Sequence, residues 1–224
     1  MVVRDNHRAP WRPARPDVTF DQAENEANVV KLAGPRRSNQ EIIDGLRRGS
    51  PEAAAALYDQ YGGLVNRLVW RFLGADPEHD DVVHQVFVAV LASIGTVSNP
   101  LVLGAWISGV TFNTVSKEIR SRRYRRILHL VPEQPEIPST SMAPDRQAFI
   151  RRFYAIVDGM RTDDRLMFVL RFLEGHTVIE IAGITKASPA TVKRRIARAR
   201  QIFMKHARKD EMLSDMIEDI EHEG

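Results

Sequence analysis

TKASPATVKRRIARARQIF, residues Thr185–Phe203, decides how this chain is read. Ser188 followed by Pro189 joins a helix N-cap to a residue that has no amide hydrogen to leave unsatisfied in the first turn. At about 100° per residue, Val192, Ile196, Ala199 and Phe203 fall on one arc and are expected to face a core. Lys193, Arg194, Arg198 and Gln201 lie on or toward the opposite side. A short helix over Thr177–Gly183 precedes it, opened by TVIE, a capping box in which side chain and backbone satisfy each other's donors. The pair has the dimensions of a helix-turn-helix whose second helix enters a major groove. Arginine there can grip guanine O6 and N7 through two hydrogen bonds, while lysine and flanking arginines neutralise phosphates. A basic amphipathic helix for a membrane or an acidic partner is the other reading, and it leaves the upstream capped helix without a purpose.

Outward from this motif the chain is helical throughout. Asp145 to about Met160 and Thr162–Glu174 complete a small C-terminal unit. Upstream, VPEQPEIPSTSMAP has four prolines and reads as a linker. Before it, SNQE at Ser38 is another capping box, with a helix to about Arg48. Ser50-Pro51 opens a second helix with Ala54, Leu57, Tyr61, Leu64, Leu68 and Phe72 on one face. Asp76-Pro77 opens a third, with Val82, Val83, Val86, Phe87, Val90 and Leu91 as a broad buried face. A fourth, from about Leu101, presents Trp106, Ile107 and Val110, with Trp106 read as core, and runs into a basic cluster. The fold expected is all-α: two small helical domains with no strand. The boundaries are 1–37 for a disordered or regulatory extension, 38–127 for the first bundle, 128–145 for the linker, 146–208 for the helix-turn-helix unit and 209–224 for an acidic tail.

Composition narrows the function class. The 224 residues carry a net charge of +3, but basic residues crowd Lys117–Arg126 and Lys186–Lys209, while Asp210–Gly224 is acidic. That tail could compete with DNA for the basic helix. There is no cysteine, which removes disulfides, thiolate metal sites and a cysteine nucleophile. No apolar run approaches the roughly 18 to 20 residues a membrane span needs, and the cytoplasm is the expected compartment. Seven histidines are scattered, with no phosphate loop, HExxH or Ser/His/Asp grouping, so no enzymatic activity, cofactor or metal is expected.

Together these segments resemble a bacterial extracytoplasmic-function sigma factor. ALYDQYGGLVNRLVWRFLG, DPEHDDVVHQVFVAVL and AWISGVTFNTVSKEIRSRRYRR look like that family's region two; MRTDDRLMFVLRFLEGHTVIEIA and SPATVKRRIARAR look like region four, in the same order. The resemblance covers roughly Gln40–Phe203. It implies partners in core RNA polymerase and promoter DNA, and an anti-sigma factor as a possible third. Polymerase contacts would come from Asp80, Asp81, Val82, Gln85 and Val86. Ser98 and Asn99 sit in the loop that would capture a base flipped from the −10 element, at a cost of a few kcal/mol of stacking. Asn113, Lys117 and Arg120 would track the melted strand, with Arg122 and Arg123 supplying backbone charge. Lys193, Arg194 and Arg198 would read the −35 element, with Ser188 and Thr191 near phosphates. The sequence departs from the family at His84 and Gln85, and in the turn, where Lys186 stands for glycine and Thr185 and Ala187 for larger apolar residues. A non-glycine residue at positive φ costs about 1 kcal/mol, so a changed turn or a less stable domain is expected. The alternatives are a stand-alone helix-turn-helix regulator, which leaves the first bundle unused, and a sigma-like decoy for an anti-sigma factor, which needs no phosphate contacts.

Overall fold

The structure is a computed structural model describing residues 37–127, 144–213, 217 and 220. Among these there are eight α-helices and no strand; the extension and most of the linker lie outside them. Helix α1, Asn39–Arg47, starts at Ser38 with its box closed: Ser38 N donates to the Glu41 carboxylate at 2.7 Å, and Glu41 N to Ser38 Oγ at 3.3 Å. Helix α2, Pro51–Leu73, is capped by Ser50 and stops at Gly74, whose φ is 82°. Its Leu57, Leu68 and Phe72 are fully buried. Asp76 does not cap the next helix. Its carboxylate accepts from Glu78 N at 2.9 Å and closes a turn, so α3 begins later, at His79–Ser93, with Glu78 as an N-cap that makes no side-chain bond. Two single 3₁₀ turns, Ile94–Thr96 and Pro100–Val102, lead into the long α4, Leu103–Ile127.

The second bundle is α5, Pro144–Asp158; α6, Thr162–Phe172; α7, Val178–Thr185; and α8, Pro189–Ala207. The Thr177–Glu180 box and the Ser188 cap both form. Val192, Ala199 and Phe203 are fully buried as the spacing predicts, while Ile196 is half-buried. The turn keeps the ordinary left-handed geometry with lysine in it: Lys186 has φ 53° and ψ 31°. Thr185 stabilises the preceding turn by donating its hydroxyl to the Ile181 carbonyl at 2.7 Å, and Ala187 packs against the core.

The two cores differ in chemistry. The first bundle is mostly aliphatic, whereas Phe153, Phe168 and Phe203 stack at the centre of the second, with Phe168 and Phe203 centroids 5.1 Å apart. Leu213, Ile217 and Ile220 join that aromatic cluster, so the acidic C-terminal stretch presents an apolar face to α5 and α8 at these positions. A second departure concerns separateness. Ile107, Phe112 and Val115 of α4 belong to one buried cluster with Ile181 and Ile184 of α7 and Val192 of α8, so the bundles dock on each other.

Candidate nucleic-acid interface

Helix α8 presents its cations unevenly. Lys193 and Arg194 are exposed and have no carboxylate partner among the described residues. Arg198, expected beside them, is half-buried and sits 3.2 Å from Asp164, whose side chain is only 2% exposed. Its charge goes to neutralising a buried carboxylate on α6, a structural duty that periodicity cannot reveal. Arg195 pairs with Asp163 at 2.7 Å. Ser188 and Thr191 are committed to the helix start: Thr191 N donates to Ser188 Oγ at 3.2 Å, and the two hydroxyls lie 2.9 Å apart.

Helix α4 sorts its basic run in the same way. Asn113, Lys117 and Arg123 are exposed. Arg122 is not a free backbone cation: its guanidinium bonds Asp76 and Glu118 and lies 2.8 Å from Glu78, with a side chain 17% exposed. Burial works to lower its pKa, but the hydrogen bonds to Asp76 and Glu118 outweigh it and the net shift is upward. Arg125 shares Glu118 at 3.0 Å. Arg120 reaches across to Asp163, the carboxylate that also holds Arg195. One crevice of about 530 Å³ is lined by Arg120, Arg123, Arg161, Arg194, Arg195 and Arg198. The helix expected to follow a melted strand and the helix expected to read a duplex thus meet across it.

Asn99 caps the Pro100–Val102 turn inside the expected base-capture loop, Thr96–Leu103, its carboxamide oxygen accepting from Leu101 N at 3.0 Å; Ser98 is exposed. Leu101 in that turn is 90% exposed, an apolar side chain open to solvent. Trp106 is half-buried against the first core.

On α3 the expected polymerase contacts separate. Asp80, Asp81 and Gln85 are exposed, but Val82 and Val86 are 1% and 0% exposed inside the bundle and cannot touch a partner. The outward apolar positions are instead Val88 and Leu91, with Tyr58 of α2 set against Phe87 at 5.0 Å between centroids. Asp81, His84, Gln85, Val88 and Leu91 recur at three- and four-residue spacing, so the stripe was visible in sequence. Leu91 alone of its apolar members reads as inward, because from Val82 to Leu91 only His84 and Gln85 are polar. Tyr58, Asn66, Asp80, Val83, His84 and Phe87 line a shallow depression there. No group of three potential metal ligands occurs among the described residues, and none of their helices is long and apolar enough to cross a membrane.

Comparison with known proteins agrees with this division. Residues 57–125 match the family described as Sigma-70 region 2, and residues 150–202 match Sigma-70, region 4. The chain is 25% identical over 168 residues to the ECF RNA polymerase sigma factor BldN of Streptomyces coelicolor, covering 68% of this chain and 60% of BldN. It is 22% identical over 175 residues to the ECF RNA polymerase sigma factor SigX of Bacillus subtilis, covering 74% of this chain and 90% of SigX. Among solved structures, CnrH in complex with the cytosolic domain of CnrY shares the fold, with a TM-score of 0.54 at 21% identity over 78% of this chain and all of that one.

Proposed function

The chain belongs to the extracytoplasmic-function sigma factors of the sigma-70 family, and on that premise we propose that it binds core RNA polymerase, places it at −35 and −10 promoter elements and promotes melting of the −10 region. The observation that carries this is the pairing, in one chain and in order, of a region-two bundle and a region-four helix-turn-helix, each with exposed cations on the helix that would face DNA. Lys193 and Arg194 are the −35 readers. Asn113, Lys117 and Arg123 lie along the path of the melted strand. The α3 stripe of Asp81, Gln85, Val88 and Leu91 supplies the mixed acidic and apolar contact to polymerase. Binding energy, with no covalent chemistry of the factor's own, drives the opening of the duplex, and the site of action is the cytoplasm, where polymerase works. An anti-sigma partner is part of the proposal, since the structural neighbour CnrH was solved bound to CnrY.

The deciding experiment is run-off transcription with core polymerase and the target promoter. A specific transcript is expected, and stable polymerase binding without any transcript would sink the proposal in favour of a decoy.

A further inference from the structure

Arg161 stands where its helix has no use for it. It is the N-cap of α6, a position at which serine, threonine, asparagine or aspartate accepts a backbone hydrogen bond, and its side chain makes no capping bond. An arginine there also sets a cation beside the positive end of the helix. It is exposed, has no carboxylate partner among the described residues and lies on neither DNA-facing helix. A residue that breaks a local rule with no structural return points to a functional use.

Its surroundings supply one. Arg161 lines the crevice of about 530 Å³ with five arginines of α4 and α8, and the lining carboxylates are those of Asp163 and Asp164. Asp163 holds Arg120 and Arg195, and Asp164 holds Arg198. Arg123, Arg161 and Arg194 are left over, all exposed and none with a carboxylate partner among the described residues. Three uncompensated guanidiniums around one crevice repel one another, and an anion with charge spread over several linked groups relieves that repulsion. Each guanidinium matches a phosphate through two parallel N–H donors. Tyr124 lines the same crevice and is 64% exposed, which leaves its ring free to stack. Arginines and an exposed aromatic ring, in a crevice within the usual size range of small-molecule sites, fit a planar base that carries a row of phosphates.

The walls are already assembled, because the bundles are fixed against each other. Arg165, 5% exposed, places Nη2 2.6 Å from the Phe72 carbonyl oxygen, and the Tyr154 hydroxyl lies 2.9 Å from that of Arg71. Two glycines permit the approach: a Cβ at Gly74 would stand 2.9 Å from a Tyr154 ring carbon, and one at Gly109 would stand 2.8 Å from the Ile184 carbonyl oxygen. A ligand therefore spends little of its binding energy on ordering the site.

We propose that the crevice between α4, the start of α6 and α8 binds a nucleoside polyphosphate, with its phosphates on Arg123, Arg161 and Arg194 and its base stacked on Tyr124. The proposal goes beyond the sigma-factor reading, which gives Arg161 and Tyr124 no part.

Calorimetric titration of the full chain at about 150 mM salt tests it, with guanosine triphosphate, adenosine triphosphate and inorganic tripolyphosphate as separate probes. At least one of the nucleotides should bind, one molecule per chain, with a Kd of about 1–100 μM. Arg161→Ala should weaken that binding about tenfold or more. Lys205→Ala, which removes an exposed cation of α8 outside the crevice, should leave it within about twofold of wild type. Tyr124→Ala should weaken nucleotide binding about fivefold or more without touching tripolyphosphate binding, and Tyr124→Phe should restore it. All three positions are exposed, so the fold is not at stake. Failure of both nucleotides to bind below about 1 mM, or equal losses in Arg161→Ala and Lys205→Ala, overturns the site. Tripolyphosphate binding as tightly as either nucleotide, with Tyr124→Ala changing neither, overturns the nucleoside assignment. These titrations use neither polymerase nor promoter, so a chain that binds nucleotide but never transcribes retires the sigma activity alone, and one that transcribes but binds no nucleotide retires this site alone.

Discussion

The basic runs of α4 and α8 look alike in sequence and are used differently. In α4, Arg122 and Arg125 turn back onto Asp76, Glu78 and Glu118 and fasten the helix to the loop before α3. In α8, Arg195 and Arg198 turn onto the first turn of α6, where Asp163 and Asp164 also meet the positive end of that helix. What remains for a nucleic acid is a smaller set, with Lys117 and Arg123 on one helix and Lys193 and Arg194 on the other. An arginine's neighbours in space, more than those in sequence, decide whether it holds the fold together or reads DNA.

Five substitutions, one of them read by a pH titration, would break or sharpen this contrast. Arg122→Ala strands the Asp76 and Glu118 carboxylates, and we expect a loss of about 2–3 kcal/mol in urea denaturation. A change within about 0.5 kcal/mol would mean that the network contributes no more than a surface pair. Arg198→Ala leaves Asp164 buried without its cation and should cost about 1–3 kcal/mol of stability, with −35 binding reduced only as far as the domain unfolds. Arg194→Ala should do the reverse, weakening promoter binding by about 1–3 kcal/mol and relaxing sequence preference while the urea midpoint stays put. If Arg194→Ala and Arg198→Ala behave alike in both assays, the division of labour within α8 is wrong. Arg123→Ala should lower the slope of log affinity against log salt by about one, uniformly across sequences.

The smallest effect concerns pH. His79 lies 3.2 Å from Asn66 Oδ1, and burial holds its pKa below the usual value despite Asp80 and Asp76 nearby. The unfolded chain therefore takes up a proton that the folded chain resists, and stability should decline as pH falls through about 6.5. His79→Gln should flatten that slope; an unchanged pH profile would show that His79 protonates freely in the fold.

Much of the candidate interface was legible because local rules are strong. Capping boxes at Ser38 and Thr177, and the Ser-Pro starts at Ser50 and Ser188, placed four helix N-termini correctly. Lys193 and Arg194 followed from the apolar arc opposite them. Arg198 was misjudged because its carboxylate partner, Asp164, is 34 residues away in sequence, and Arg122 because Asp76, 46 residues away, joins the nearby Glu118 in holding it. Leu91 was misjudged because a helix apolar on most sides gives periodicity little to choose between, whereas Val82 and Val86 are buried as their spacing predicts and only the family resemblance set them at the polymerase surface.

The sequence alone determined most of the helices, their order and the helix-turn-helix with its basic face, since capping, periodicity and proline placement act over a few residues. Tertiary structure alone decided which cations are spent on internal carboxylates, and that the bundles dock through Gly74, Gly109, Tyr154 and Arg165. Those outcomes depend on contacts between residues far apart in the chain, where no local pattern carries the information.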